Sequence, residues 1–169
     1  MKLQRLLPLV ALAAGTAFAQ KIDIEFDDAA DFSHYKTFRI GEGQLKSKSP
    51  ALNSDLTRRK IDGEIRKRLI EKGLTETSGQ ADLNVQFRLG SARRNEVDAF
   101  PAGRYGLRTR RVVTQYTEGT LIIDLRDTSR RELVWRAVAV EDKGDPSKIA
   151  DRLDDMVRKS IDKYPPKKK

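Results

Sequence analysis

Apolar residues alternate with polar ones in several short runs along the chain. Ile22, Ile24 and Phe26 alternate with Asp23, Glu25 and Asp27, the pattern of a half-buried strand. Tyr35 to Ile40 reads as a second strand with Phe38 and Ile40 inward. From Ala81 to Leu89, Leu83, Val85, Phe87 and Leu89 fall on one side and Asp82, Asn84, Gln86 and Arg88 on the other. That is a strand with one wet face. Arg111 to Tyr116 is β-branched and leads into the strongest sheet signal, a hairpin of Gly119–Arg126 and Arg131–Val140 about a polar Asp127-Thr-Ser-Arg130 turn. The expected register sets Arg126 opposite Glu132, Leu125 opposite Leu133, Ile123 opposite Trp135 and Leu121 opposite Ala137, an all-apolar row. On the other face Asp124 and Arg136 become diagonal neighbours that can pair. Glu118-Gly119 is read as a bulge in a continuous strand.

The period changes in two segments. Ile61, Ile65 and Leu69 recur every fourth residue in a helix expected from Asn53 or Ser54 to Lys72, with Gly73 just past its end. Gly63 inside it suggests close packing on the sheet. Asp145 and Pro146 open a second helix whose apolar face is Ile149, Leu153, Met156, Val157, Ser160 and Tyr164, stopped by Pro165-Pro166. Residues 41–50 are polar, and Gly90 to Thr109 shows no period; both are read as loops. The expected fold is α+β, in the order β-β-α-β-β-β-α, with a mainly antiparallel sheet and two helices on one face.

The first nineteen residues do not fit this pattern. Lys2 and Arg5 precede a short apolar run, Leu6 to Ala14, and Ala17-Phe18-Ala19 stands before Gln20. This is the layout of a secretory signal peptide cleaved after Ala19, and the run is too short to span a bilayer. No cysteine follows it, so the expectation is a periplasmic or secreted protein that is not a lipoprotein. What remains is one domain's length, residues 20–166, with a basic tail at 167–169. The absence of cysteine also excludes disulfides, thiol catalysis and thiolate metal sites.

Charge singles out one region. Of the formal net charge of +9, Arg88 to Arg111 contributes a local excess of five and Lys167 to Lys169 three more. The remainder is near neutral, which is not the signature of a uniformly basic nucleic-acid binder. Arg93, Arg94, Arg104, Arg108, Arg110 and Arg111 are candidates for anion or partner binding, with Phe100 and Tyr105 interleaved. The bland alternative is a solvated loop whose charges aid solubility. The candidate partners are an envelope protein, lipid headgroups or another anionic surface; nucleic acid is not expected.

No catalytic set emerges. His34 is the one histidine, which rules out a histidine cluster. No nucleophile elbow or phosphate loop is present, and Gly41-Glu42-Gly43 lacks the third glycine. Asp124 and Asp127 are three apart on a strand, so they point to opposite faces. Trp135 reads as core. No enzyme activity and no cofactor are expected. The leading reading is an exported non-catalytic domain acting through protein or anionic-surface contacts. The alternative is a small-molecule binder with a pocket between sheet and helices; dimerisation through Ile122, Val138 and Val140 is a further option.

A set of short motifs carries a resemblance. Asp31-Phe-Ser-x-Tyr-Lys-Thr-Phe38, Glu71-Lys-Gly-Leu74, Ala81-Asp-Leu-x-Val85, Glu118-Gly-Thr-Leu-Ile-Ile-Asp-Leu125 and Leu133-Val-Trp-Arg136 occur in that order. Asp145-Pro146 then opens a final helix that ends in Tyr164-Pro165. Together they resemble the DUF4136 family of bacterial envelope proteins over almost the whole chain after the leader. The resemblance implies an exported domain of unknown function, often a lipoprotein, with no established catalytic residues. The chain departs from that pattern in lacking a lipobox cysteine and in its Arg-rich segment after Gly90, where relatives are often Gly- and aromatic-rich.

Overall fold

The computed structural model describes residues 20–102, 108–142 and 145–167, with 93–102, 108–118 and 142 described by their backbone alone. The elements are β1 (Lys21–Phe26), β2 (Thr37–Ile40), β3 (Gln44–Lys46), α1 (Asp55–Glu71), β4 (Thr75–Glu76), β5 (Leu83–Ala102), β6 (Arg108–Asp127), β7 (Glu132–Asp142) and α2 (Pro146–Ile161). A 3-10 turn at Pro50–Leu52 precedes α1.

The helices start and stop where their capping residues dictate. Ser54 accepts a hydrogen bond from the Thr57 N–H, and Asp145 accepts one from the Ser147 N–H, with Pro146 at the first helical position of α2. After α1, Gly73 takes φ +88°, the left-handed conformation glycine adopts without Cβ strain. Its N–H donates to the Ile70 carbonyl at 2.9 Å and the Leu74 N–H to Leu69 at 3.1 Å, so the last carbonyls are satisfied and Leu74 folds inward.

The seven-stranded sheet runs β1-β7-β6-β5-β2-β4, with β3 also on β5. It is mixed, which corrects the expectation of a mainly antiparallel sheet. β1, β7, β6 and β5 form antiparallel pairs, but β2 and β3 lie parallel to β5, and β4 is parallel to β2. The reason is the α1 segment between them: it returns the chain to its starting end, so β5 runs the same way as the strands before the helix. Two short strands, β3 and β4, were not anticipated in the element order.

The hairpin register also differs. Leu125 faces Trp135, Ile123 faces Ala137, Leu121 faces Ala139, and Asp124 lies directly opposite Arg136. A bulge between Leu125 and Arg126 shifts the turn end, so Arg126 faces Leu133 and Asp127 faces Glu132. Val134 is the extra residue, and both Val134 and Trp135 are fully buried. A regular register would bury only one of two adjacent residues; the bulge buries both. No register shift occurs at Glu118-Gly119. Gly119 has another role: a Cβ there would sit 2.6 Å from Ile149 Cγ2 of α2.

One row of the sheet carries the core. Leu83, Val85, Phe87 and Leu89 of β5, Leu121, Ile123 and Leu125 of β6, and Trp135, Ala137 and Ala139 of β7 are all buried. They form one cluster with Ile61, Ile65 and Leu69 of α1 and Ile149, Leu153, Met156, Val157 and Ile161 of α2. An aromatic group closes one end: Tyr164 packs edge-on against Trp135 and Phe32, and Phe32 against Phe26 and Tyr35.

Gly63 does not serve close packing, because a Cβ at that position would meet nothing within 4 Å. Gly63→Ala is therefore expected to raise stability by up to about 1 kcal/mol through helix propensity alone. Chemical denaturation measures this, and a loss of stability would refute the open space beside Gly63.

Candidate functional site

The β6–β7 turn is organised by Asp127. Its Oδ1 accepts from the Ser129 hydroxyl at 2.6 Å and the Arg130 N–H at 2.9 Å. Its Oδ2 accepts from the Tyr35 hydroxyl at 3.0 Å and Arg130 Nε at 3.2 Å. The Ser129 hydrogen bond, with the backbone, Tyr35 and Arg130 bonds, holds this carboxyl well below the usual carboxylate range, against the opposing effect of its burial. Tyr35 is pushed up, chiefly by burial. The turn is tied to the start of β5, where the Thr128 N–H donates to the Asp82 carbonyl at 2.9 Å. The Asp82 carboxylate in turn accepts from the Lys36 and Thr37 N–H groups at 2.9 and 2.8 Å, and these backbone bonds lower its pKa.

The sheet face away from the helices is mixed, with Ile122, Val138 and Val140 half-buried among polar residues. At its centre Asp124 is 3% exposed and accepts a two-pronged contact from Arg136, at 2.6 and 2.9 Å, and a third from Arg88 at 3.0 Å. Asp124 pairs with Arg136 as the sequence suggests, but directly across the ladder and with Arg88 added. A carboxylate saturated by two guanidinium groups is structural.

Beside it the balance reverses. Arg39, Asn84 and Arg126 share one row across β2, β5 and β6. With Asp127, Thr128 and Arg131 they line a cleft of about 360 Å³. Arg130 is occupied by Asp27, Asp127 and Glu132. No ion pair or side-chain hydrogen bond among the described residues involves Arg39, Arg126 or Arg131. Asn84 Oδ1 and Thr128 Oγ1 are buried without a hydrogen-bond partner. This cleft lies at the edge of the open face, not between sheet and helices. Sequence reasoning missed it because Arg126 was assigned to Glu132. The bulge separates those two residues, and Glu132 lies by Arg130 instead. The available signal was Arg126, Arg130 and Arg131 crowding a turn with only Asp127 and Glu132 to balance them.

The sequence-derived candidates lie elsewhere. Arg104 falls outside the described residues. Arg93, Arg94 and Arg108 do not sit on a loop, as expected, but on a continuous ladder with Arg110 and with Arg111, which was expected on a strand: Arg93 opposite Thr117, Arg94 opposite Tyr116, Arg111 opposite Ala99, Arg110 opposite Phe100 and Arg108 opposite Ala102. β3 pairs with β5 only as far as Gly90, and β7 with β6 only from Glu118. Ten residue pairs of β5 and β6 therefore extend as a two-stranded arm with no flanking strand among the described residues. Such an arm is about 30 Å long. Its sequence from Gly90 to Thr109 lacks the period-2 signal of a strand with one buried face.

His34 is exposed and lies 3.2 Å from Asp31, far from a catalytic setting. Gly43 belongs to packing, since a Cβ there would run into the Phe87 ring. Among the described residues no His, Cys, Asp or Glu group could hold a metal ion, and no helix is long and apolar enough to cross a membrane.

Comparison with known proteins places this architecture. No curated protein matches the sequence. Among solved structures, a PDZ domain protein from Parabacteroides distasonis aligns at 18% identity and a TM-score of 0.60, over 88% of this chain. The chain spans 36% of that protein's length. A DUF4136 family protein from Bacteroides thetaiotaomicron aligns at 16% identity and a TM-score of 0.57, covering 86% of this chain and 96% of that one. A PelC dodecamer from Paraburkholderia phytofirmans aligns at 10% identity and a TM-score of 0.52, over 83% and 96%. At these identities the likeness is one of fold. The family model for a domain of unknown function, DUF4136, matches residues 22–166, and the chain belongs to that family.

Proposed function

We propose that this protein is an exported, non-catalytic contact domain of the cell envelope that engages an anionic partner through its β5–β6 arm. One observation carries the reading: ten residue pairs run beyond the sheet's last flanking strands, and residues 93–117 hold six Arg against Glu96 and Asp98. A two-stranded ribbon presents both faces to a partner, and guanidinium groups suit carboxylate and phosphate oxygens. Export is supported by the Lys2 and Arg5 start, the apolar run and Ala17-Phe18-Ala19 before Gln20.

The test is a pull-down from envelope extract, comparing the wild type with a variant carrying Arg93, Arg94, Arg108 and Arg110 changed to Ser. The wild type should retain partners that the variant loses, and raising the salt concentration should release them, because the attraction is screened within about 10 Å at 0.1 M. Identical partner lists for the two proteins would remove the arm's role.

A further inference from the structure

We infer that the cleft between β2, β5 and the β6–β7 turn binds a small hydroxylated oxyanion, a molecule carrying a phosphate or carboxylate beside at least one hydroxyl. This site is separate from the arm and does not depend on its role.

The first argument is charge. Arg39, Arg126 and Arg131 converge on a cleft of about 360 Å³. A guanidinium cannot shed its proton in a protein, so three of them lining one cleft favour an anion there, although water screens the exposed Arg39 and Arg131 more than the half-buried Arg126. The carboxylate that lines the same cleft cannot serve all three. Asp127 is already engaged by Tyr35, Ser129 and Arg130. On the same face Asp124 is matched by Arg88 and Arg136, whereas Arg39, Arg126 and Arg131 have no such counter-ion.

The second argument is hydrogen bonding. Asn84 Oδ1 and Thr128 Oγ1 are buried with no partner. Thr128 can donate its hydroxyl proton to an oxyanion, but Asn84 Oδ1 only accepts and needs a donor. A carboxylate offers none at neutral pH, and inorganic phosphate only a P–OH on the anion itself; a hydroxyl set beside the oxyanion reaches a second point. A cleft of this volume falls in the range of small-molecule sites, about 300–1,000 Å³. The third argument is backbone. Arg131, at φ 59°, is the one non-glycine residue with positive φ among the described residues. The turn thus holds a conformation that arginine disfavours at the position that brings this side chain to the cleft.

Isothermal titration of the full-length protein with four probes tests the inference: glucose 6-phosphate, glucuronate, inorganic phosphate and glucose. At least one of the first two should bind, at least about tenfold tighter than inorganic phosphate, while glucose should give no heat. Which of the two binds identifies the oxyanion. Arg39→Gln and Arg126→Gln should each weaken binding at least about tenfold with the melting temperature unchanged. Arg131→Gly separates binding from folding: it relieves the positive-φ residue, so the melting temperature should hold or rise while affinity falls. The arm variant with Arg93, Arg94, Arg108 and Arg110 changed to Ser should bind the probe as the wild type does, so this site and the arm stand or fall separately. The inference is overturned by any of the following: no binding of glucose 6-phosphate or glucuronate, equal affinity for inorganic phosphate, binding of glucose, or folded Arg39 and Arg126 variants with wild-type affinity.

Discussion

Asp127→Ala is expected to lower the free energy of unfolding at neutral pH by about 3 kcal/mol, the scale of losing hydrogen bonds to a buried charged acceptor. Four donors lose their partner at once: the Ser129 and Tyr35 hydroxyls, the Arg130 N–H and Arg130 Nε. The carboxylate is 11% exposed, so water does little to screen it, whereas the Arg130 side chain is 42% exposed and its share is discounted accordingly. The pH dependence follows from the depressed pKa. A carboxyl whose folded pKa lies below its unfolded value, about 3.9, contributes its full stability above that value. The contribution is lost as pH falls through the acid range toward the folded pKa. The gap between wild type and Asp127→Ala should therefore be widest near pH 6 and narrow steadily below about pH 4. Denaturation curves at several pH values measure it, and a gap that stays constant with pH would refute the role of the ionised carboxylate.

Gly119→Val is expected to cost about 2–3 kcal/mol, although valine is the better strand former. The conflict makes the sign informative. Local propensity in the middle of β6 favours the substitution, and packing opposes it, because the new Cβ would lie 2.6 Å from Ile149 Cγ2 and 3.2 Å from Cδ1. The Ile149 side chain is fully buried and has little room to retreat. In an Ile149→Ala background the clash is gone, and Gly119→Val should cost less than about 1 kcal/mol. A double-mutant cycle reads this coupling. Additive losses would show that Gly119 is needed for something other than the approach of α2.

Both predictions rest on residues whose type the sequence displays and whose partners it hides. The helix ends were legible because Ser54, Gly73, Asp145 and Pro146 act on their own neighbourhoods. The core rows of β5 and β6 were legible because period-2 alternation records a single buried face; on β7 Leu133 was expected inward, and Val134 is buried instead. The parallel pairing of β2 and β3 with β5 was not, since no local pattern reports strand direction across a helix. The bulge at Leu125 was hidden as well: Leu133, Val134 and Trp135 are all apolar, and only packing decides which two turn inward.

The motif residues that carry the family resemblance largely hold the fold together. Thr37 and Asp82 exchange hydrogen bonds, Tyr35 reaches Asp127, and Trp135 packs on Tyr164. The cleft, by contrast, draws Arg39 from one strand, Asn84 from another and Arg126, Thr128 and Arg131 from the hairpin end. Nothing in the linear order links these positions. Their lack of counter-ions is a property of three dimensions, and the sequence shows only that arginine is abundant.

The pairing of β1 with β7 has a kinetic consequence. Lys21 lies opposite Val140 and Phe26 opposite Trp135, so the first strand of the domain waits for the last. A chain emerging from its amino end carries β1 with no sheet partner until nearly all of the domain has appeared. Closing so long a loop is entropically slow and rewarded only once β6 and β7 exist. The central hairpin is therefore expected to form ahead of the edge, leaving the outer side of β7 briefly available to any other extended segment, including the β1 of a second molecule.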